Sequence, residues 1–308
     1  MYTDNSLKIL ESLKKNDHRI EIINQKNQGV SIARNNGIKK ATADYIVLVD
    51  ADDFLDTTMI EKLYKKITST KSDIAFCDYF LYQKRAQVGN NLRREYLRYP
   101  SFSWANFRNE NYPIIINMST VVPWGKIMHK KLLLENNIFF PEGLLFEDNY
   151  VGIMSFLNAK KMTVVNEPLY YYRIDNPNSL SGKSGKYRDT LDLIKISTML
   201  IEATTKKFSK NTFINRILLN WIISNNLSWF LLSKRKKEYY DAFHQFLYAT
   251  TEDKRFSSFK SDPRIIRLLS CRSAASLYCI ACFRRIQRYY RSKKRAILVF
   301  LKQISIKK

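Results

Sequence analysis

Apolar residues recur along the first 180 positions with two alternating periods. "TDNSLKILESLKK" spaces Leu7, Leu10 and Leu13 for one face of a short amphipathic helix behind capping residues, and "SIARNNGIKKA" and "TTMIEKLYKKI" repeat that spacing. Thr58 and Glu61 stand at capping-box distance in the third of these helices. Between them, "RIEIINQ", "DYIVLV" and "SDIAFCDYFLY" read as strands, and the second is apolar on both faces, as buried parallel strands are. Helix-strand alternation of this kind predicts an α/β domain built on a largely parallel sheet.

From Gln83 to Asn111 the pattern gives way to a polar and aromatic stretch, read as an insertion or hairpin. "KKLLLENNI" and "FEDNYVGIMSFLNA" then predict helices, "KMTVVN" a strand and "LYYYRI" an extended segment, before the turn-rich connection "DNPNSLSGKSGK". After Tyr187 the period becomes helical throughout: "DTLDLIKISTMLIEA", "INRILLNWIISNNLSWFLL" and "YYDAFHQFLYA" predict a second, all-helical region. The boundaries expected are 1–186 for the α/β domain and 187–308 for a basic helical region.

Composition adds limits. A chain of 308 residues that is 45% apolar buries a sizeable core, which argues against disorder. No run approaches the roughly 18 apolar residues of a membrane span. No apolar leader follows Met1 and the four cysteines are too few for a disulfide framework, so a reducing, cytoplasmic setting is expected. Cys279 and Cys282 form C-x-x-C without a second ligand pair, and His18, His129 and His244 are scattered; neither set reads as a metal site. The net charge of +24 points to an anionic partner: nucleic acid, acidic lipid or phosphorylated small molecule. Much of it lies in "CFRRIQRYYRSKKRAILVFLKQISIKK", where basic and apolar residues alternate. That pattern fits a basic helix on an anionic membrane surface or a solvated helix packing one face. No nucleic-acid-binding motif is present, so no nucleic-acid partner is expected.

The sharpest local feature is "VLVDADDF": a strand that ends in Asp50, Asp52 and Asp53. Three carboxylates within four positions repel, so they require compensation. At the carboxyl end of a sheet strand, where ligands of open α/β sheets bind, hard cations such as Mg²⁺ or Mn²⁺ accept one or two carboxylates and complete their shell with substrate phosphates. The alternative is an acidic cap for the next helix.

"NQGVSIARNNGIKKATADYIVLVDADDF", "VVPWGKIMHKKLL", "FPEGLLFEDNYVG" and "EPLYYYRIDNPNSLSG" together resemble successive blocks of the family 2 glycosyltransferases, bacterial enzymes of capsule, exopolysaccharide or teichoic-acid synthesis with the GT-A nucleotide-sugar fold. The resemblance covers most of residues 3 to 182. It implies an inverting transfer of a sugar from a nucleotide-sugar donor, with UDP the expected carrier, to a glycan or lipid-linked acceptor at the inner face of the membrane. Asp50-Ala51-Asp52 matches the family's D-x-D element, which implies that Asp50 contacts the nucleotide and Asp52 holds Mg²⁺ or Mn²⁺. Arg34 matches an arginine facing the donor; Arg173, Ser179 and Ser181 match a segment over the diphosphate. Glu147 and Asp148 match the acidic pair near the acceptor, with Asp148 the general base, and this pair also suits a helix cap. Trp124 and Lys126 match a block beneath the acceptor and donor pockets, where Trp124 either stacks on a sugar or fills the core. Tyr170 to Tyr172 are expected to pack a sheet edge or helix. Family members begin with a further strand, helix and strand, about 35 residues, that precede "TDNS". The expectation is therefore a truncated chain with impaired donor binding, or an inactive remnant.

Overall fold

The computed structural model describes residues 4–84, 90–95, 102–103, 121–174, 190–208, 212–233, 235–252, 263–278 and 280–281. The chain divides into two compact units, Met1–Gly182 and Lys183–Lys308.

In the first unit the described helices are α1 (Ser6–Asn16), α2 (Val30–Lys40), α3 (Met59–Thr70), α4 (Lys130–Glu135) and α5 (Glu147–Asn158). The strands are β1 (Tyr45–Val47), β2 (Phe54–Leu55), β3 (Ile74–Lys84), β4 (Asn90–Glu95), β5 (Phe102–Ser103), β6 (Lys126–His129) and β7 (Lys161–Arg173). The sheet runs β1-β6-β3-β7-β2, with β4 added to β3 and β5 to β7. It is mixed: β3 and β7 pair in parallel, whereas β6 is antiparallel to both β1 and β3 and β2 is antiparallel to β7. The apolar faces of β1 had suggested parallel neighbours, but burial on both faces does not fix strand direction.

Three local expectations are corrected. Residues 20–26 are not a strand: β1, at the edge of the described sheet, pairs with β6, and "RIEIINQ" forms no ladder with it. Thr58 makes no side-chain cap bond to α3. Its hydroxyl donates to Asp56 Oδ1 at 2.6 Å and Glu61 pairs with Lys65, so Asp56 takes the place of the capping box. "KMTVVN" and "LYYYRI" form one strand, β7, through Pro168. A proline is tolerated there because the β3–β7 register shifts on both sides of Asp78, the residue facing Pro168.

One face of α3 buries Met59, Leu63 and Ile67, each one turn apart, into a core with Ala75, Cys77, Tyr79, Trp124, Ile127, Leu169 and Tyr170. This core lies beneath the sheet rim that carries the site.

The second unit holds α6 (Asp192–Phe208), α7 (Thr212–Leu232), α8 (Lys236–Glu252) and α9 (Pro263–Leu269). Polar groups inside it bond to one another. Tyr239 donates to Asn226 Oδ1 at 2.8 Å, Asn226 to Ser197 Oγ at 2.9 Å, and Thr190 to Ser233 at 3.0 Å. Among the described residues no helix is long and apolar enough to cross a membrane. The basic segment 283–308, Cys279 and Cys282 lie outside the described residues.

Candidate active site

Because β1, β3 and β7 run in one direction and β6 in the other, the carboxyl ends of the first three share a rim with the start of β6. Asp50 to Asp53, Lys126 and Arg173 stand at that rim. Beyond β1 the chain turns at residues 50–53, closed by the Asp53 N–H donating to the Asp50 carbonyl at 3.1 Å. The acids of this turn do not cap α3, which Asp56 initiates: the Met59 N–H donates to the Asp56 carbonyl at 3.0 Å.

Arg34 joins the two acidic clusters across 113 residues of sequence. Its Nη2 lies 2.7 Å from Asp50 Oδ1 and its Nη1 2.8 Å from Glu147 Oε1, with the three side chains 16%, 29% and 12% exposed. A planar guanidinium suits this use of both arms. The neighbouring Asn35, 4% exposed, locks α2 to the segment before α5: its Nδ2 donates to the Phe140 carbonyl at 2.9 Å and its Oδ1 accepts from the Phe140 N–H at 2.8 Å. The guanidinium of Arg34 also lies over the Phe140 ring, 5.1 Å from its centroid. Phe146, at φ 66° and ψ 24°, takes a left-handed conformation directly before Glu147. For a bulky residue that conformation stores strain, which at this point sets the entry of α5 and places Glu147 and Asp148 in its first turn. The N-cap is Phe146 and makes no side-chain cap bond, so Glu147 and Asp148 stand inside the first turn and do not cap it as the sequence had also allowed.

Asp148 and Lys126 form the second electrostatic feature. Burial, and then the neighbouring Glu147 charge, push the Asp148 carboxyl up to about 7 against the opposing pull of Arg34, the Asn149 N–H and Lys126. Lys126, 3% exposed at the start of β6, is pushed down to about 7 by burial, with Asp148 opposing. Its ammonium lies 5.3 Å from the Phe76 ring centroid. A buried lysine is no open acceptor contact; it acts within reach of the Asp148 charge.

Trp124 is 6% exposed and stacks on Tyr170 at 4.5 Å and 6° and on Tyr172 at 5.2 Å, with Tyr79 edge-on at 5.1 Å. These contacts place Trp124 in the core. Arg173 ends β7 at the same rim, its backbone N–H donating to Asp53 Oδ1 at 2.8 Å. Ser179 and Ser181 lie outside the described residues. His129 accepts from the Lys131 N–H at 3.3 Å and His244 meets the Leu269 carbonyl at 3.0 Å, which gives both local structural partners.

Spacing did not reveal the contribution of Tyr170. Its buried hydroxyl donates to Asp53 Oδ2 at 2.6 Å and accepts from the Asp50 N–H at 3.3 Å. Burial lifts the Asp53 carboxyl, while the bonds from Tyr170 and the Arg173 N–H pull it down and the Asp52 and Asp50 charges add to the rise. Alternation along "LYYYR" marks which tyrosine points inward, but nothing local says that its partner lies 117 residues earlier.

Among the described residues no group of three His, Cys, Asp or Glu is placed to hold a metal ion. The turn instead offers two hard carboxylates, Asp50 and Asp52. That donor set fits Mg²⁺ or Mn²⁺ where a diphosphate supplies the remaining oxygens.

Residues 2–134 match the family model described as glycosyl transferase family 2. A cholesterol galactosyltransferase of Borreliella burgdorferi is 29% identical over 203 residues, which is 64% of this chain and 56% of that protein. Glycosyltransferase GlyA of Streptococcus pneumoniae is 30% identical over 181 residues, 56% of this chain and 25% of that protein. The chain thus spans 56% of the length of the first and 25% of the second. The crystal structure of S. aureus TarS 1–349 in complex with UDP-GlcNAc superposes with a TM-score of 0.66 over 94% of this chain and 80% of that one, at 19% identity, a likeness of fold. Sequence over one segment and architecture over nearly the whole chain agree: residues 2–134 match the family 2 glycosyl transferases, and the fold is like that of the TarS glycosyltransferase structure, a GT-A fold.

Proposed function

We propose that the chain transfers a sugar from a nucleoside-diphosphate sugar to an acceptor hydroxyl, with inversion at the anomeric carbon. The observation that carries this reading is the Arg34 bridge, which holds Asp50 of the acidic turn and Glu147 of α5 on one guanidinium. Asp148, next to Glu147, is the base. With its carboxyl near 7 it is substantially ionised at neutral pH yet basic enough to take a proton, the compromise that general-base catalysis favours. The acceptor oxygen gives its proton to Asp148 as it bonds to the anomeric carbon. The bond from that carbon to the phosphate oxygen breaks, and the nucleoside diphosphate leaves with the electron pair. A single displacement of this kind turns an α-linked donor into a β-linked product.

Asp52 would hold Mg²⁺ or Mn²⁺, which supplies Lewis-acid neutralisation of charge on the diphosphate. Asp50 and Arg173 face the donor on this reading, and Ser179 and Ser181 follow Arg173 in sequence. UDP is the favoured carrier because the fold-similar TarS structure holds UDP-GlcNAc. The acceptor class is a glycan or lipid-linked glycan of the cell surface. The basic tail from Arg284 to Lys308 is the candidate contact with an anionic leaflet at the cytoplasmic face. Flotation with anionic against neutral liposomes tests that contact, and equal recovery would remove it.

The reaction is tested by UDP release from UDP-sugars in the presence of Mn²⁺, with EDTA and with Asp148→Asn as controls. Release that EDTA stops, that added Mn²⁺ restores and that Asp148→Asn lowers by at least a hundredfold is expected. Release indifferent to Asp148→Asn would sink the assignment of the base.

A further inference from the structure

Tyr170 and Asp53 take no part in the chemistry just described, yet their side chains tie the turn that carries it to β7. Tyr170 is fully buried on β7, its ring flat against Trp124. A buried phenol hydroxyl needs hydrogen-bond partners, and this one finds both in the acidic turn: Asp53 Oδ2 accepts at 2.6 Å and the Asp50 N–H donates at 3.3 Å. Asp53 completes the arrangement, since its Oδ1 accepts from the Arg173 N–H at 2.8 Å and its own N–H closes the turn on the Asp50 carbonyl.

Both carboxylate oxygens of Asp53 are therefore directed at β7, away from any ligand beyond the rim. A metal ligand has to present its lone pairs outward. The third aspartate of "DADD" accordingly differs in kind from the first two, although its spacing alone would make it an equal candidate for the cation. The turn also bears a load, because Asp50, Asp52 and Asp53 repel and an unsupported loop would splay.

We propose that Asp53 and Tyr170 are positioning residues: they pin the turn of residues 50–53 to β7 and so fix how Asp50 and Asp52 meet a nucleoside diphosphate and its divalent cation. The proposal rests on the transferase reading above and adds to it the support on which donor binding depends. Support of this kind sets the affinity for the diphosphate-cation pair, because a prearranged turn loses less freedom on binding. It leaves Asp148 and the acceptor side untouched, so the donor KM moves more than kcat.

Tyr170→Phe keeps the ring stack and removes one oxygen, and Asp53→Ala removes both acceptors. Calorimetric titration of the full chain with UDP and MnCl₂, with thermal midpoints recorded alongside, is the measurement. Tyr170→Phe is expected to bind UDP·Mn²⁺ about tenfold more weakly, as the loss of one bond to a charged acceptor implies. The double variant is expected to be no weaker than Asp53→Ala alone, since the hydroxyl then has no acceptor left to lose. If Asp53→Ala does not fold, Asp53→Asn, which keeps one acceptor oxygen, takes its place in the cycle.

Unchanged UDP·Mn²⁺ affinity in Tyr170→Phe, beside a wild type that binds, would overturn the support role and leave the transferase reading standing. Additive losses in the cycle would overturn it too, by making Asp53 a ligand in its own right. A wild-type chain that binds no UDP with Mn²⁺ would overturn the donor reading and this proposal together.

Discussion

Replacing Lys126 by methionine is expected to make the folded chain more stable at neutral pH while impairing its chemistry. Lys126 releases its proton near pH 7 instead of 10.5 because burial disfavours the ammonium, and the attraction of Asp148 only partly offsets this. From pH 7 to 10.5 the unfolded chain holds a proton that the folded chain has lost, so stability rises with pH across that window. Asp148 works in the opposite sense. Its carboxyl is raised from 3.8 to about 7, the folded chain holds the extra proton between those values, and stability falls as pH rises through them. Wild-type stability therefore has a trough near pH 7, to which each group contributes on the order of 4 kcal/mol. Removing the lysine eliminates its burial cost and forfeits an attraction that is the weakest influence on Asp148. The net change at pH 7 is a gain of about 2 kcal/mol, within the range of about 1–4 kcal/mol seen when apolar groups replace buried charges, and it shrinks toward pH 10. Asp148 without this opposing charge titrates higher, so the acid limb of turnover moves up in pH. Urea unfolding followed by circular dichroism at pH 5, 7 and 9, beside a pH–rate profile of nucleotide release, measures both effects. A wild-type stability curve that is flat from pH 5 to 9, or a Lys126→Met variant less stable at pH 7, would refute the reasoning.

Two further substitutions discriminate between packing and chemistry. Arg34→Ala leaves Asp50 and Glu147 without their shared cation and is expected to cost about 2–3 kcal/mol in denaturant unfolding, discounted for partial exposure. It should also raise the acid limb of the rate profile, because Arg34 is the strongest influence holding Asp148 down. Trp124→Ala is expected to lower unfolding free energy by about 3–5 kcal/mol as a core truncation, whereas Trp124→Phe, which refills much of the space against Tyr170, should recover most of that.

Much of the first unit was legible because helix and strand periods alternate cleanly: α2, α3, β3 and α5 all lie where the apolar spacing puts them. Sheet order and strand direction were not legible, since β1 pairs with a strand that begins 79 residues after it ends, at Lys126. "RIEIINQ" has the composition of a strand and lacks a ladder, which shows that pairing, and not propensity, makes a strand. The family resemblance of four sequence blocks brought Asp50, Arg34, Glu147 and Asp148 forward as a set. It was silent on how they are held: the paired hydrogen bonds of Asn35 to Phe140, the strained Phe146 and the buried Tyr170 hydroxyl are long-range or conformational facts. The reading of Trp124 turned on neighbours from β3 and β7 that no local window contains.

Helix α1 buries none of its eleven residues, and Ile9, Leu10 and Leu13 face solvent. A helix this short, with no buried residue, is marginal in water. Trypsin should therefore reach Lys8, Lys14 and Lys15 long before it reaches the buried Lys126.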